Sequence, residues 1–436
     1  MKHKLLFILA GIISAHTLMA QQSRTMTLRE AIELTLAYSK TLQSDKTKIE
    51  AATLAVKEAY EKKLPEAGVT ASYLYLPFQP NINLHTGSDT AAKKNNTPNV
   101  NQVIYGMANV SVPIYTGGRL KYGIESAKYL EEAIKLDAEN NREQVVLNVV
   151  YACINLYKAY TAIGLVKENL AQSQQRLKDF TNLEKNGLLP RNDLMKAELQ
   201  SSNIELALLD AESNYKVASV NMNLMMGIPE QTELIPDRNG LALPTSIKTL
   251  EQYENEALQN RKDIGAFQFR KKAAGVEINT VKSNYYPSIA FTGGYIAANI
   301  PGFVTITNAV NIGLGVKYDL SSLWKTNTKI QQAQIKVKQL QLNEEQLNDN
   351  IRQQINQVYQ AYLVSVKKID VYEKSVLQAT ENYRVTKNKY DNSLATTTEL
   401  LDADVALLQT KLSVTNSKAD SFLAYNKLLQ LTGSLQ

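Results

Sequence analysis

Histidine and cysteine carry much of the nucleophilic, acid–base and metal chemistry of proteins, and this 436-residue chain has only three of the first and one of the second. His3 and His16 lie in the amino-terminal segment, which leaves His85 and Cys153. A Ser/His/Asp triad is hard to build on one remaining imidazole, a His/Cys zinc site lacks ligands, and an intrachain disulfide lacks its second thiol. No GxxxxGK[ST] segment and no GxGxxG after a strand occurs. No catalytic residue, metal site or cofactor is therefore assigned, and the chain is not expected to be an enzyme.

The remaining composition points to scaffold. The formal charge of +6 falls to +4 without Lys2 and Lys4, and charged residues make up only 21%. Nucleic acid is a poor partner for so weak a field. The 19 Gly and 11 Pro are unevenly placed: neither occurs between Gly315 and Gly433, and no Pro occurs between Pro113 and Pro190. Without those breakers, long uninterrupted helices are expected. Met1–Lys4 is basic, Leu5–Ile13 is nearly continuous apolar, and Leu18-Met19-Ala20 precedes Gln21, so residues 1–20 read as a secretory signal peptide. No run of 18 apolar residues follows, so a membrane location would have to use strands.

The chain reads as two halves of one design. Leu28–Leu42 aligns with Leu250–Ile264 at an offset of 222 residues, and Pro65 aligns with Pro287 at the same offset. Asn186-Gly187-Leu188 aligns with Asn392-Ser393-Leu394 at an offset of 206. The first half, 21–227, contains a helix over Leu28–Lys63, strands 69–77 and 101–115, a long helix Leu120–Lys185 and a returning helix Asn192–Met226. The second, 250–436, contains an opening helix, strands 288–298 and 308–320, a long helix Leu323–Tyr390 and a returning helix Thr398–Leu431. Residues 228–249, with three prolines, link them as an equatorial segment. Period-two alternation, as in Val310, Ile312, Leu314 and Val316, marks strands with one apolar face. A helix of about 66 residues spans roughly 100 Å, more than one globular core needs. Leu340, Leu347, Ile351, Ile355, Val358 and Tyr362 form a coiled-coil-like stripe.

Four strands cannot close a membrane barrel, because single-chain barrels start at eight. Unpaired strand edges are not tolerated in lipid. Copies must therefore share a barrel, and three copies supply 12 strands. The expected fold class is mainly α with a small β part: a long α-helical barrel plus a trimeric 12-stranded transmembrane β-barrel.

In this arrangement the sequence resembles the TolC family of outer-membrane efflux proteins over nearly its whole mature length. The matching residues are Leu28-x-x-Ala31 with Leu34-x-Leu36-Ala37, then Val112-Pro113-Ile114-Tyr115-x-Gly117-Gly118-Arg119, and the Asn-Gly-Leu and Asp-Leu-x-x-Ala pattern at both helical turns. Two departures are Ser39-Lys40 in place of Asn-Pro, and Ser321-Ser322 in place of a Gly pair. The resemblance implies a homotrimer in the outer membrane of a Gram-negative cell, in contact with its lipid and with the helical barrel in the periplasm. It also implies an exit duct for a tripartite efflux or type I secretion system, partnered by a periplasmic adaptor (membrane fusion) protein and an inner-membrane pump.

The resemblance assigns positions as well. The turns Asn186, Gly187, Leu188, Leu189 and Asn392, Ser393, Leu394, Ala395 match the periplasmic tips that dock the adaptor; a plain helix cap is the competing reading. Asp193, Tyr390, Glu399 and Asp402 match an iris that narrows the duct, with Glu399 and Asp402 one turn apart as stacked carboxylate rings in a trimer. The alternative for these acids is interaction with a helix amino terminus. Tyr73, Tyr75, Tyr115, Tyr318 and Trp324 are read as membrane-interface aromatics, with ordinary packing as the alternative. A periplasmic or surface coiled-coil structural protein is the rival function, weakened by the paired strands before each long helix; an envelope hydrolase is more remote.

Overall fold

The structure, a computed structural model, describes residues 23–78, 80, 100–237, 242–244 and 246–435. The signal segment 1–20 and His85 lie outside the described residues. The chain divides into two compact units, and each draws segments from both sequence halves: 47–135 with 265–344, and 1–46 with 136–264 and 345–436.

In chain order the elements are β1 (Ser23–Met26), α1 (Leu28–Tyr38), α2 (Lys40–Glu61), β2 (Glu66–Tyr75), β3 (Gln102–Tyr115), α3 (Arg119–Lys185) and α4 (Arg191–Met226). They continue with β4 (Glu233–Pro236), α5 (Leu250–Asn260), α6 (Lys262–Lys282), β5 (Ser288–Ile300), β6 (Val304–Lys317), α7 (Ser322–Asp391) and α8 (Thr397–Leu431). The chain is thus mainly helical. At 67 and 70 residues, α3 and α7 are each about 100 Å long.

The unit built from 47–135 and 265–344 is organised by an antiparallel sheet of order β2-β3-β5-β6, with both outer edges unpaired among the described residues. The register puts Val69 opposite Ala108, Ala108 opposite Tyr295, and Tyr295 opposite Val310. Two rows further on along the same face, Val112, Phe291 and Leu314 align. One face is therefore apolar across all four strands, and the opposite face carries Thr70, Asn109, Thr292, Asn311 and Lys317. Among the described residues no core covers the apolar face: Val69 is 85% exposed and Ile312 74%. The strand-to-helix turn needs Gly117 at φ +63, because a Cβ there would lie 2.7 Å from the Ser283 carbonyl oxygen.

Strand boundaries differ from the sequence reading, β5 running on to Ile300 and the larger changes falling in β2 and β6. β2 begins at Glu66 and ends at Tyr75, and β6 begins at Val304 and ends at Lys317. The expected start of β6 near 308 was displaced by a bulge: Asn308 has φ 59, and the β5–β6 register shifts between Ile296 and Ala298, which breaks the period-two pattern.

In the other unit, β1 and β4 pair in parallel. Met26, Leu234, Ala31, Val149, Leu156, Met222 and Met226 form one core around them. A second core joins Tyr253, Ile264, Ile351, Ile355, Val358, Tyr362 and Leu428, so the stripe read on α7 is buried in this unit from Ile351 onward. By length and composition a stretch of α3 is apolar enough to cross a membrane. Its Val146, Val149, Val150, Ile154 and Leu156 are buried against other elements, so a third of that stretch packs in the cores of this unit.

The opening helix expected over Leu28–Lys63 is two helices. Ser39 adopts φ −50, ψ 118 and its hydroxyl accepts the Leu42 N–H at 3.4 Å, so it closes α1 and caps α2. Arg261, at φ −63, ψ 127, makes the same break between α5 and α6, and is held by two hydrogen bonds to Asp263 at 3.0 and 2.6 Å.

Candidate functional site

The ends of α3 and α7 are built alike. At the first turn the Gly187 N–H donates to the Glu184 carbonyl at 2.9 Å and the Leu188 N–H to the Leu183 carbonyl at 2.8 Å. This Schellman geometry needs a left-handed residue, supplied by Gly187 at φ +72. At the second, Ser393 takes that conformation at φ 61, with Ser393 N–H to Tyr390 O at 2.9 Å and Leu394 N–H to Lys389 O at 2.7 Å. Asn186 and Asn392 each donate to the carbonyl four residues earlier. The outcome is a leucine held out into solvent at each turn: Leu188 is 73% exposed and Leu394 77%. Leu189 packs instead beside the core of Phe180, Leu194 and Leu400, and Ala395 is half-buried.

The four positions assigned to an iris have different settings. Glu399 closes a capping box on α8: its carboxylate accepts the Thr396 N–H at 2.7 Å and hydroxyl at 2.9 Å, and its own N–H donates back to Thr396 Oγ1 at 3.3 Å. The Thr396 backbone and hydroxyl donors hold the Glu399 carboxyl below the ordinary carboxylate range. Asp193 pairs with Lys196 at 3.0 Å, and Lys196 also reaches the Thr398 hydroxyl at 3.2 Å. Tyr390 lies against Phe180 with ring centroids 5.5 Å apart, and burial raises its phenol above the usual value despite a hydrogen bond with Thr397. Asp402 is exposed and makes no ion pair among the described residues. Glu399 is therefore exposed and engaged in its helix cap, and Asp402 lies one turn further along α8.

Sequence reasoning missed a buried polar network nearby. Arg176 on α3 pairs with Asp404 on α8 at 3.0 Å, their side chains 10% and 1% exposed. The Asn169 amide donates to the other Asp404 oxygen at 3.1 Å, and Arg176 donates to the Tyr383 hydroxyl on α7 at 3.1 Å. Burial acts to lower the Arg176 pKa, but the ion pair and hydrogen bond with Asp404 outweigh it and hold the guanidinium above its ordinary value. Three helices are thus tied by one desolvated charge pair. Arg176, Tyr383 and Tyr390 also line a groove of about 630 Å³.

The remaining candidates sit elsewhere. Tyr73 and Tyr75 are exposed at one end of the sheet, while Tyr115, Tyr318 and Trp324 are exposed at or just beyond the other. Cys153 is half-buried, and burial pushes its thiol up to about 12, which disfavours the nucleophilic thiolate at ordinary pH.

The long helices, the sheet with one bare apolar face and the paired turns are the features of an efflux channel of the outer membrane. The chain matches the outer membrane efflux protein family over residues 31–228 and 254–434, and it belongs to that family. It is 24% identical over 306 residues to the cation efflux system protein CusC of Escherichia coli strain K12, a match that spans 65% of this chain and 65% of the length of that curated relative. The solved structure of CusC has a similar fold, with a TM-score of 0.76 at 17% identity, over 93% of this chain and 92% of that one. The CmeC outer membrane channel of Campylobacter jejuni is similar at a TM-score of 0.75 and 17% identity, over 93% and 85%.

Proposed function

We propose that the protein is the outer-membrane exit duct of a tripartite efflux or type I secretion system, conducting passively what an inner-membrane pump delivers. The observation that carries this reading is the four-stranded sheet with a bare apolar face and two unpaired edges. Lipid favours such a face only when every edge is paired, and β2 of one copy against β6 of the next pairs them. Three copies make a 12-stranded barrel with the apolar row outward and the Thr, Asn and Gly row lining the lumen. β3 from Ile104 to Tyr115 is roughly 35 Å long at the usual rise and, tilted by about 45°, covers close to the height of a lipid-facing band. The aromatics at its two ends fit the two interfaces.

The α3–α4 and α7–α8 turns then form the periplasmic tips, with Leu188 and Leu394 presented to the adaptor. Their exposure and identical caps support that role. An iris at this end would use Asp402 as its free carboxylate, with the Arg176–Asp404 tie holding α8 to α3 in the closed state. Reconstitution into planar bilayers tests the duct: stepwise conductance is expected, with divalent-cation block that weakens in Asp402→Ala. Failure of detergent-purified protein to insert would overturn the duct, and unchanged block would remove Asp402 from the pore.

A further inference from the structure

The bulge in β6 turns one end of that strand inside out. Directly opposed residues on neighbouring strands share a face, so Val310 stands with Tyr295, Ala108 and Val69 on the apolar side. In a regular strand the alternate residues Asn308, Ile306 and Val304 would keep to that side. Between Ala309 and Ile306, however, β6 advances three residues while β5 advances two, from Ile296 to Ala298. Asn308 absorbs the extra residue in a left-handed conformation at φ 59, which Asn tolerates better than most side chains. The Tyr295 hydroxyl holds it, donating to the Asn308 side-chain oxygen and accepting the Asn308 N–H, both at 3.3 Å. A one-residue slip carries side chains to the other face, so Ile306 joins Ala298 and Tyr105 there, and Val304 joins Ile300.

The other strands change character at the same level, with regular pairing between them. On the face opposite Val69 and Val310, the end nearer the helices carries Asn109, Ser111, Thr292 and Asn311. Toward the β5–β6 turn that face carries Met107 and Ile296, then Tyr105 and Ile306, then Leu74 and Val103. The first face meanwhile gains polar groups at this end. The Thr305 hydroxyl donates to the Asn299 side-chain oxygen at 3.3 Å, in the same row as Tyr73 and Ile104. Of the residues in the four strands, Glu66 and Lys317 alone are charged, and both lie at the helix end.

We infer that the lumen near the β5–β6 turn is an apolar collar that favours amphipathic organic cargo over hydrated inorganic ions. Each copy contributes Leu74, Tyr105, Met107, Ile296, Val304 and Ile306 to it. This rests on the 12-stranded reading above, in which the face opposite Val69 lines the lumen, and it names the class of cargo. Polar side chains suit a water-filled barrel, whereas apolar ones leave unfavourable water contact that an apolar solute removes. Twelve strands roughly 4.8 Å apart and tilted by about 45° put the backbone about 26 Å across, so these side chains line the passage and leave it open. A solute with an apolar part gains by lying on this wall. A hydrated ion gains nothing there, and no charge in the collar holds it.

The test uses the full-length protein in planar bilayers, with alkyltrimethylammonium ions from butyl to octyl as blockers of potassium chloride current. The head group is constant, so a carboxylate elsewhere in the duct, Asp402 included, acts on all members alike and the chain-length dependence reports apolar contact. Full burial of a methylene is worth about fourfold in affinity, and a single wall gives about half that free energy. Block should therefore strengthen about twofold per methylene, roughly 16-fold from butyl to octyl. In Met107→Thr with Ile296→Thr and Ile306→Thr, which keeps residues suited to strands, that gain should fall below about fourfold. Ile306→Thr alone, a milder change, should weaken octyl block by about twofold. Parent channels blocked equally by every member, or a gain that persists in full in both variants, would overturn the collar and leave the duct standing. A parent protein that forms no channel would overturn the duct and the collar with it.

Discussion

Asp404→Ala is the most informative single change. It leaves Arg176 charged, 10% exposed and without its carboxylate, and it frees the Asn169 amide. Removing one partner of a buried ion pair costs about 3–5 kcal/mol, because the remaining charge keeps its desolvation penalty. Each 1.4 kcal/mol is about tenfold in an equilibrium, so local opening of α8 near its start becomes roughly 10²–10³-fold more populated. Hydrogen exchange of the amides from Leu400 to Leu408 reads this directly, since protection reports local opening free energy. Arg176→Met with Asp404→Leu replaces the pair by apolar side chains and recovers most of that protection. Exchange in Asp404→Ala within about twofold of the parent, or a double variant as exposed as the single one, would refute the view that this pair holds α3 to α8. In planar bilayers Asp404→Ala should also conduct more, as the tip loosens.

Other changes follow from the same geometry. Leu188→Asp with Leu394→Asp should leave melting and native mass unchanged, because both side chains are exposed, yet abolish binding of the periplasmic adaptor in pull-downs. Ile312→Arg places a charge amid the apolar face and should cost about 2–4 kcal/mol if it lies near the bilayer midplane, seen as loss of protein from the outer-membrane fraction. The Glu399 cap contributes stability that is present above the ordinary carboxylate pKa and is lost as pH falls through the lowered value. Melting of Glu399→Gln should therefore lie below the parent at neutral pH and converge with it in acid. Gly117→Ala should impair assembly, since its Cβ would meet the Ser283 carbonyl in a left-handed turn.

Much of the architecture was legible because it is written in local pattern. The absence of Pro marked α3, the absence of both Gly and Pro marked α7 and α8, and alternation over Val310–Val316 marked β6. The breaks at Ser39 and Arg261 were not legible, because neither residue is an obligate helix breaker and each break is held by side-chain hydrogen bonds. Asn308 hid the start of β6 by shifting the period. At the tips, Thr396-x-x-Glu399 carries the capping-box signature in plain sequence, beside the pore position that family resemblance gives the same residue. Arg176 and Asp404 are 228 residues apart and belong to different hairpins, so no periodicity links them.

The native mass and location of the full-length protein test the central claim most directly. Light scattering with detergent correction, on protein extracted from isolated outer membranes, should give about three chains, a closed threefold assembly. A water-soluble monomer or dimer absent from that membrane would contradict the shared barrel and return the long helices to a coiled-coil structural role.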